Sequence, residues 1–264
     1  MYDFHYHRPK TLADAVNLLK GKDEARPMSG GMTLIPTLKQ RLASPSDVVD
    51  LSAVPELKGI SVSGDTVTIG AFTRHVDVAK SAEVAKAIPA LSQLAAHIGD
   101  PAVRNRGTIG GSVANNDPAA DYPSAVLALN ATIHTNKRTI AADDFFKGLF
   151  ETALDAGELI VKFTFPVPKR AGYAKFPNPA SRYAMVGVFV AETASGVRAA
   201  VTGAGPGVFR AKEIESALAG SFSAASLDGV KVPSAGMNSD MHGSAEYRAH
   251  LVTVMAKRAV AAAG

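Results

Sequence analysis

The sequence has 264 residues, 47% hydrophobic and 20% charged, the balance of a globular protein with a substantial core and room for two or three compact lobes. It contains no cysteine, which excludes disulfides, thiolate zinc sites and cysteine-ligated iron–sulfur clusters within the chain, so a redox role calls for an organic cofactor. The net charge of +4 is spread along the sequence with 6% aromatic residues, unlike the concentrated basic face of a nucleic-acid reader, and no apolar run reaches the roughly 18 residues of a membrane span.

Polar and aromatic residues occupy Met1 to Pro9, without the apolar stretch of a secretory signal, and a cytoplasmic location is expected. Thr11 is placed to cap an amphipathic helix with apolar residues at 12, 15, 16 and 19. Ala25 to Met28 is short and extended and runs into a glycine-rich segment, after which a helix is predicted from Leu34 to Arg41. The β-branched content of Asp47 to Leu51 predicts a strand. Period-two alternation at 60–63 and 66–70 around Gly64-Asp65 predicts a hairpin. Helices are expected at His75 to Lys80 and at Pro89 to Ile98, the second with proline in its first turn. Gly99 to Pro118 is rich in Gly and Asn and reads as a long loop.

Ser124 to Leu129 reads as a helix or buried segment, Ala131 to Thr135 and Lys137 to Ile140 as strands, and Glu158 to Pro166 as a strong strand. Pro166, Pro168 and the following Lys169 to Gly172 mark a boundary. Beyond it, Met185 to Ala191 and Gly196 to Gly203 read as paired strands, with helices at Lys212 to Ala219 and Ala245 to Ala263. The fold class is α+β, in three parts: 1–54, 55–168, and 169–264 with a small antiparallel sheet and helices. None of the seven histidines forms a His-x-x-x-His pair, and no metal site is expected.

The chemistry lies in two glycine-rich segments. In Ser29-Gly30-Gly31-Met32-Thr33-Leu34-Ile35-Pro36, between a strand and a helix, paired glycines let the backbone approach a ligand, and successive N–H groups at a helix start form an anion nest. It is neither the Gly-x-Gly-x-x-Gly of dinucleotide folds nor a Walker loop, and a plain tight turn explains it equally well in isolation. The second segment, Gly99 to Pro123, holds little that fills a core, and so long a loop is usually functional. There Thr108, the Gly110 and Gly111 amides and Ser112 can donate to phosphate, while Asn115, Asn116 and Asp121 can bind sugar hydroxyls. Two phosphate-friendly loops in a cysteine-free chain suit a flavin dinucleotide.

Residues 29–36, together with Gly107-Thr108-Ile109-Gly110-Gly111-Ser112 and Ala114-Asn115-Asn116-Asp117-Pro118-Ala119-Ala120-Asp121-Tyr122-Pro123, resemble the two FAD loops of the medium subunits of molybdenum hydroxylases. Aerobic carbon monoxide dehydrogenases and the FAD domain of xanthine dehydrogenases belong to that group. Phe4-x-Tyr6-x-Arg8-Pro9 and Gly157-Glu158-Leu159-Ile160 extend the resemblance over essentially the whole chain.

The resemblance implies the two-subdomain FAD-binding fold of p-cresol methylhydroxylase and vanillyl-alcohol oxidase, followed by a small third domain. It implies that Ser29, Gly30, Gly31, Met32, Thr33 and Leu34, with Thr108, Gly110, Gly111 and Ser112, hold the FAD pyrophosphate region. Ile98 packs near the isoalloxazine, Ile160 lies against the ring, Tyr183 is near it, and Asp121 bonds along the ribityl or pyrophosphate. With no Cys and no His in either loop, the FAD is expected to be noncovalent. A Lys or Arg is common just after Phe176 in relatives; Pro177 stands there in this chain, which weakens any claim that a positive charge at that position steers flavin reactivity or NAD binding.

The implied function is electron relay, with no catalytic acid or base. A large partner holds a molybdenum cofactor and oxidises the substrate, two iron–sulfur (2Fe–2S) clusters sit in a small partner, and a dimer of heterotrimers is expected. Carbon monoxide, aldehydes, purines and N-heterocycles are substrates of such complexes, and NAD, a quinone or another compound is the acceptor. The alternative is a self-sufficient small flavin oxidoreductase of the same fold.

Overall fold

The computed structural model describes residues 1–263. Strands β1 (His5–His7), β2 (Ala25–Met28) and β3 (Asp47–Asp50) form a parallel sheet with β3 in the middle, connected through helices α1 (Leu12–Leu19) and α2 (Leu34–Lys39). Thr11 caps α1 by accepting from the Asp14 amide at 3.1 Å, as its position in the sequence predicts. Helix α2 ends two residues before the predicted Arg41, which takes a left-handed φ of 57°.

The second sheet is antiparallel. Its order runs β4 (Ile60–Ser63), β5 (Thr66–Gly70), β10, β6 (Thr132–Thr135), β7 (Thr139–Ala141), so β10 (Ile160–Pro166) lies at the centre. Helices α3 (His75–Lys80), α4 (Ala82–Ala87) and α5 (Pro89–Ala96) follow its first hairpin. The core under this sheet is built from Val67, Ile69, Ile133, Phe163 and Phe165 against Leu91, Leu94, Ile109 and Val126.

The stretch 99–118 is not the loop its composition suggests. It holds two short helices, α6 (Pro101–Arg106) and α7 (Ile109–Asn115), followed by α8 (Tyr122–Ala128). The reason lies in the caps. Asp100 accepts from the Val103 amide at 2.9 Å with proline at the first helical position, and Thr108 accepts from the Gly111 amide at 3.1 Å. Asn116, with φ 45°, ends α7 in the left-handed conformation that asparagine tolerates. A short helix α9 (Ala142–Phe145) and a small hairpin, β8 (Phe146–Gly148) with β9 (Glu151–Thr152), precede β10.

The third sheet is a meander: β11 (Arg170–Pro177), β12 (Ala184–Thr193), β13 (Gly196–Thr202) and β14 (Phe209–Arg210). Residues 169–172, which the sequence presents as a boundary, thus include the start of its first strand. Eight successive residues of β12 are buried because both faces are covered. One face presents Tyr173, Phe189 and Ala200 to the core containing α8. The other presents Val186, Val188, Val190 and Val201 to helices α10 (Lys212–Gly220) and α11 (Ala245–Ala262). No helix among the described residues is long and apolar enough to cross a membrane.

Candidate cofactor site

A cavity of about 880 Å³ runs along the first two sheets and is rimmed by the turn that enters β12. That volume is in the range of pockets that enclose small ligands and cofactors, roughly 300–1,000 Å³. Ser29, Gly30, Gly31, Met32, Thr33 and Leu34 line it, as do Thr108, Gly110, Gly111, Ser112 and Asn115. Ile98, Asp121, Ile160 and Tyr183 line it too, so of the residues singled out from the sequence only Asn116 lies off the cavity.

The two glycine segments touch each other directly. Ser29 and Thr108 share a hydrogen bond between their hydroxyls at 2.7 Å. Gly30 packs its α-carbon on the Arg106–Gly107 backbone, where a Cβ would fall 2.1 Å from the Arg106 carbonyl oxygen. Gly110 packs on Ala71 in the same way and donates its amide to the Ala71 carbonyl at 2.8 Å. Close approach at these two glycines is therefore to the protein's own backbone, a constraint that single-sequence reading assigned to a ligand.

The donors divide unevenly. The Ile109 amide donates to Thr73 O, the Gly110 amide to Ala71 O and the Gly111 amide to the Thr108 hydroxyl, so the second segment offers the hydroxyl of Ser112 rather than a run of amides. The first segment differs: none of the backbone N–H groups from Gly30 to Leu34 donates to another part of the chain among the described residues. Gly30 and Gly31 are buried, where amides require acceptors, and a row of free amides at a helix start suits the two phosphates of a dinucleotide. Ile98 and Ile160 supply apolar wall to the same cavity. The residues present thus fit FAD.

Several wall residues were invisible or ambiguous in the sequence. His75 is 4% exposed and lines the cavity, its Nδ1 has no partner, and its ring lies 5.4 Å from that of Tyr122. Burial, aided by the Arg104 charge, pushes its pKa down to about 4. Below the ordinary 6.5 the unfolded imidazole takes up a proton that the folded one refuses until about pH 4. Stability therefore falls as pH drops through that window, by about 3 kcal/mol from the shift alone, and levels off below it. Chemical denaturation of the wild type and His75→Phe from pH 7 to 4 should give diverging curves; parallel curves would refute the assignment.

Arg104 is committed to the protein: its Nη1 donates to Ile98 O at 3.0 Å and Gly99 O at 3.2 Å. Asn116 turns away from the cavity and donates to Gly148 O and Glu151 O, clamping the β8–β9 hairpin. Asp121 does not offer a free carboxylate: the Tyr173 hydroxyl donates to it, and Lys175 Nζ lies 3.0 Å from its Oδ1. Burial pushes the Asp121 carboxyl up, and the Lys175 charge and the two donors pull against that.

Residues 152 and 154–159 form a further wall. There Glu158, its side chain fully buried, accepts from Thr135, from the Asp155 amide at 2.9 Å and from Arg138 at 3.0 Å. Burial opposes ionisation, but these donors, Arg138 foremost, outweigh it and hold the pKa at about 2. A depressed carboxylate stabilises the fold above its ordinary 4.5 and loses that contribution as pH falls towards 2. Glu158→Gln should therefore melt below the wild type at pH 7, with the gap closing between pH 4.5 and 2. A gap independent of pH would contradict this.

Known proteins are similar to this chain over its whole length. Residues 2–168 match the family described as "FAD binding domain in molybdopterin dehydrogenase", and residues 171–263 match the "CO dehydrogenase flavoprotein C-terminal domain". The chain is 38% identical to the nicotine 6-hydroxylase medium subunit of Paenarthrobacter nicotinovorans, over 98% of this chain and 96% of that one. It is 37% identical to the carbon monoxide dehydrogenase medium chain of Afipia carboxidovorans, over 97% and 95%. The crystal structure of a cyanide-inactivated Cu,Mo-CO dehydrogenase superposes with a TM-score of 0.91 at 36% identity, covering 100% of this chain and 98% of that one. Likeness of this depth, end to end and in both halves, shows the family: the chain belongs to the FAD-binding medium subunits of the molybdenum hydroxylases.

Proposed function

We propose that this chain is the electron-transfer subunit of a heteromeric molybdenum hydroxylase of the cytoplasm. Noncovalent FAD, when held here, would supply the redox chemistry between iron–sulfur clusters in a partner and an acceptor, whether NAD, a quinone or another compound. The protein's part is binding, orientation and exclusion of water. The amides of Gly30 to Leu34, with the hydroxyls of Ser29, Thr108 and Ser112, hold the pyrophosphate. Asn115 takes a sugar or ribityl hydroxyl, and Ile98, Ile160 and Tyr183 flank the ring.

The three-part division at 1–54, 55–168 and 169–264 assigns the first two parts to the cofactor. The clusters belong to a small partner and the molybdenum cofactor to a large one, assembled as a dimer of heterotrimers. The unpartnered row of amides opening on a cavity of cofactor size is the observation that carries this reading. Substrate choice belongs to the large partner: medium chains about equally similar to this one bear names that specify nicotine and carbon monoxide.

The test is gentle purification of the tagged chain from its native host, followed by a visible spectrum. A flavin band over broad iron–sulfur absorption supports the complex. A flavin band alone, with substrate turnover by the isolated chain, favours the self-sufficient flavin oxidoreductase. A colourless protein that stays colourless with added FAD and partners overturns the reading.

A further inference from the structure

The third sheet reaches the cavity from behind. Tyr173 and Lys175 stand two residues apart on β11, on the face packed against α5 and α8. The Lys175 side chain is 6% exposed, with its ammonium 3.0 Å from Asp121 Oδ1, 3.2 Å from Oδ2 and 2.9 Å from the His97 carbonyl oxygen. Tyr173 donates to the same carboxylate, in space left by Gly187, where a Cβ would meet its hydroxyl at 2.6 Å. Asp121 lines the cavity, and so does Ile98, the residue after His97. One buried ammonium therefore ties together two separate wall segments, from a position that no cation-after-Phe176 pattern would flag.

We propose that Lys175 is a positioning residue for the flavin, which locks Asp121 and the Ile98 turn into one unit and supplies the buried charge that balances Asp121 at the ring end of the cavity. The proposal rests on the reading that Ile98, Ile160 and Tyr183 flank the ring. Its physics is simple. Reduction adds negative charge to the flavin, and in a water-poor site a nearby unbalanced charge acts strongly on that step. A lone cation eases reduction, a lone anion opposes it, and the intact pair does neither.

The experiment is a spectroelectrochemical titration of the flavin in the purified, flavin-loaded complex. Asp121→Asn leaves the ammonium unbalanced and should raise the midpoint potential. Adding Lys175→Met to that variant should bring the potential back to the wild-type value, and Lys175→Arg alone should leave it there. Lys175→Met alone, at pH 8, leaves the carboxylate unbalanced and should lower the potential, an independent arm if the Asn variant fails to retain flavin. A role in packing alone would reduce flavin retention without opposite, mutually cancelling shifts. A potential that ignores both charges in a flavin-loaded complex overturns this proposal and leaves the FAD reading standing. A wild-type complex without flavin overturns that reading instead.

Discussion

Replacing Gly30 with alanine is expected to weaken FAD binding about 10- to 100-fold. The new Cβ would lie 2.1 Å from Arg106 O, 2.6 Å from Arg106 C and 2.8 Å from the Gly107 α-carbon. All three are backbone atoms, so no side chain can swing aside, and the two glycine segments must separate. Overpacking of this kind costs roughly 1–3 kcal/mol, and each 1.4 kcal/mol is tenfold in affinity. Separation also breaks the 2.7 Å hydrogen bond between Ser29 and Thr108 and displaces the unpartnered amides of Gly30 to Leu34. The measurement is FAD retention by gel filtration and a fluorescence titration of the stripped protein. Gly207→Ala, where nothing lies within 4 Å of the added Cβ, is the control and should bind as the wild type does. Equal affinity in the two variants would mean that contact between the segments is irrelevant to the cofactor.

That contact marks where sequence reading stops. Local signals were legible: Thr11 as a cap, the hairpin at Gly64, Pro89 at a first helical turn. Each is written within a few residues. The glycine segments were legible as chemistry, yet the purpose of Gly30 and Gly110 was not, because the atoms that crowd them lie far away in sequence. The 99–118 stretch was misread because glycine and asparagine lower helix propensity, while its helices are fixed by caps at Asp100 and Thr108 and by packing on Ala71. Lys175 and Tyr173 were missed for the same reason: their partner Asp121 is more than fifty positions away. The identity of strand β11 was hidden too, since Arg170-Ala-Gly-Tyr-Ala-Lys lacks the continuous β-branched run that announces β12.

Gly172 on that strand carries the second large effect. A Cβ there would sit 1.9 Å from Ala259 O and 2.8 Å from Ala259 C, because α11 crosses β11 in backbone contact. Small residues on the helix, Ala256 and Ala259, make the same approach possible from the other side, and both are fully buried. Gly172→Ala must push α11 off the sheet and open the core that Val186, Val188 and Met255 fill. The expected loss is about 3 kcal/mol, the upper part of the overpacking range, because the obstacle is a carbonyl. For a chain of this size that lowers the melting temperature by roughly 6–12 °C. Since β11 also carries Tyr173 and Lys175, the displaced strand should loosen Asp121, and flavin release on heating should move down together with the melting transition. Differential scanning fluorimetry, read once through a protein dye and once through released flavin, separates the possibilities. If flavin release stays at the wild-type temperature while the protein transition falls, the third sheet stabilises the chain without supporting the cofactor cavity. If both fall together, β11 links the two.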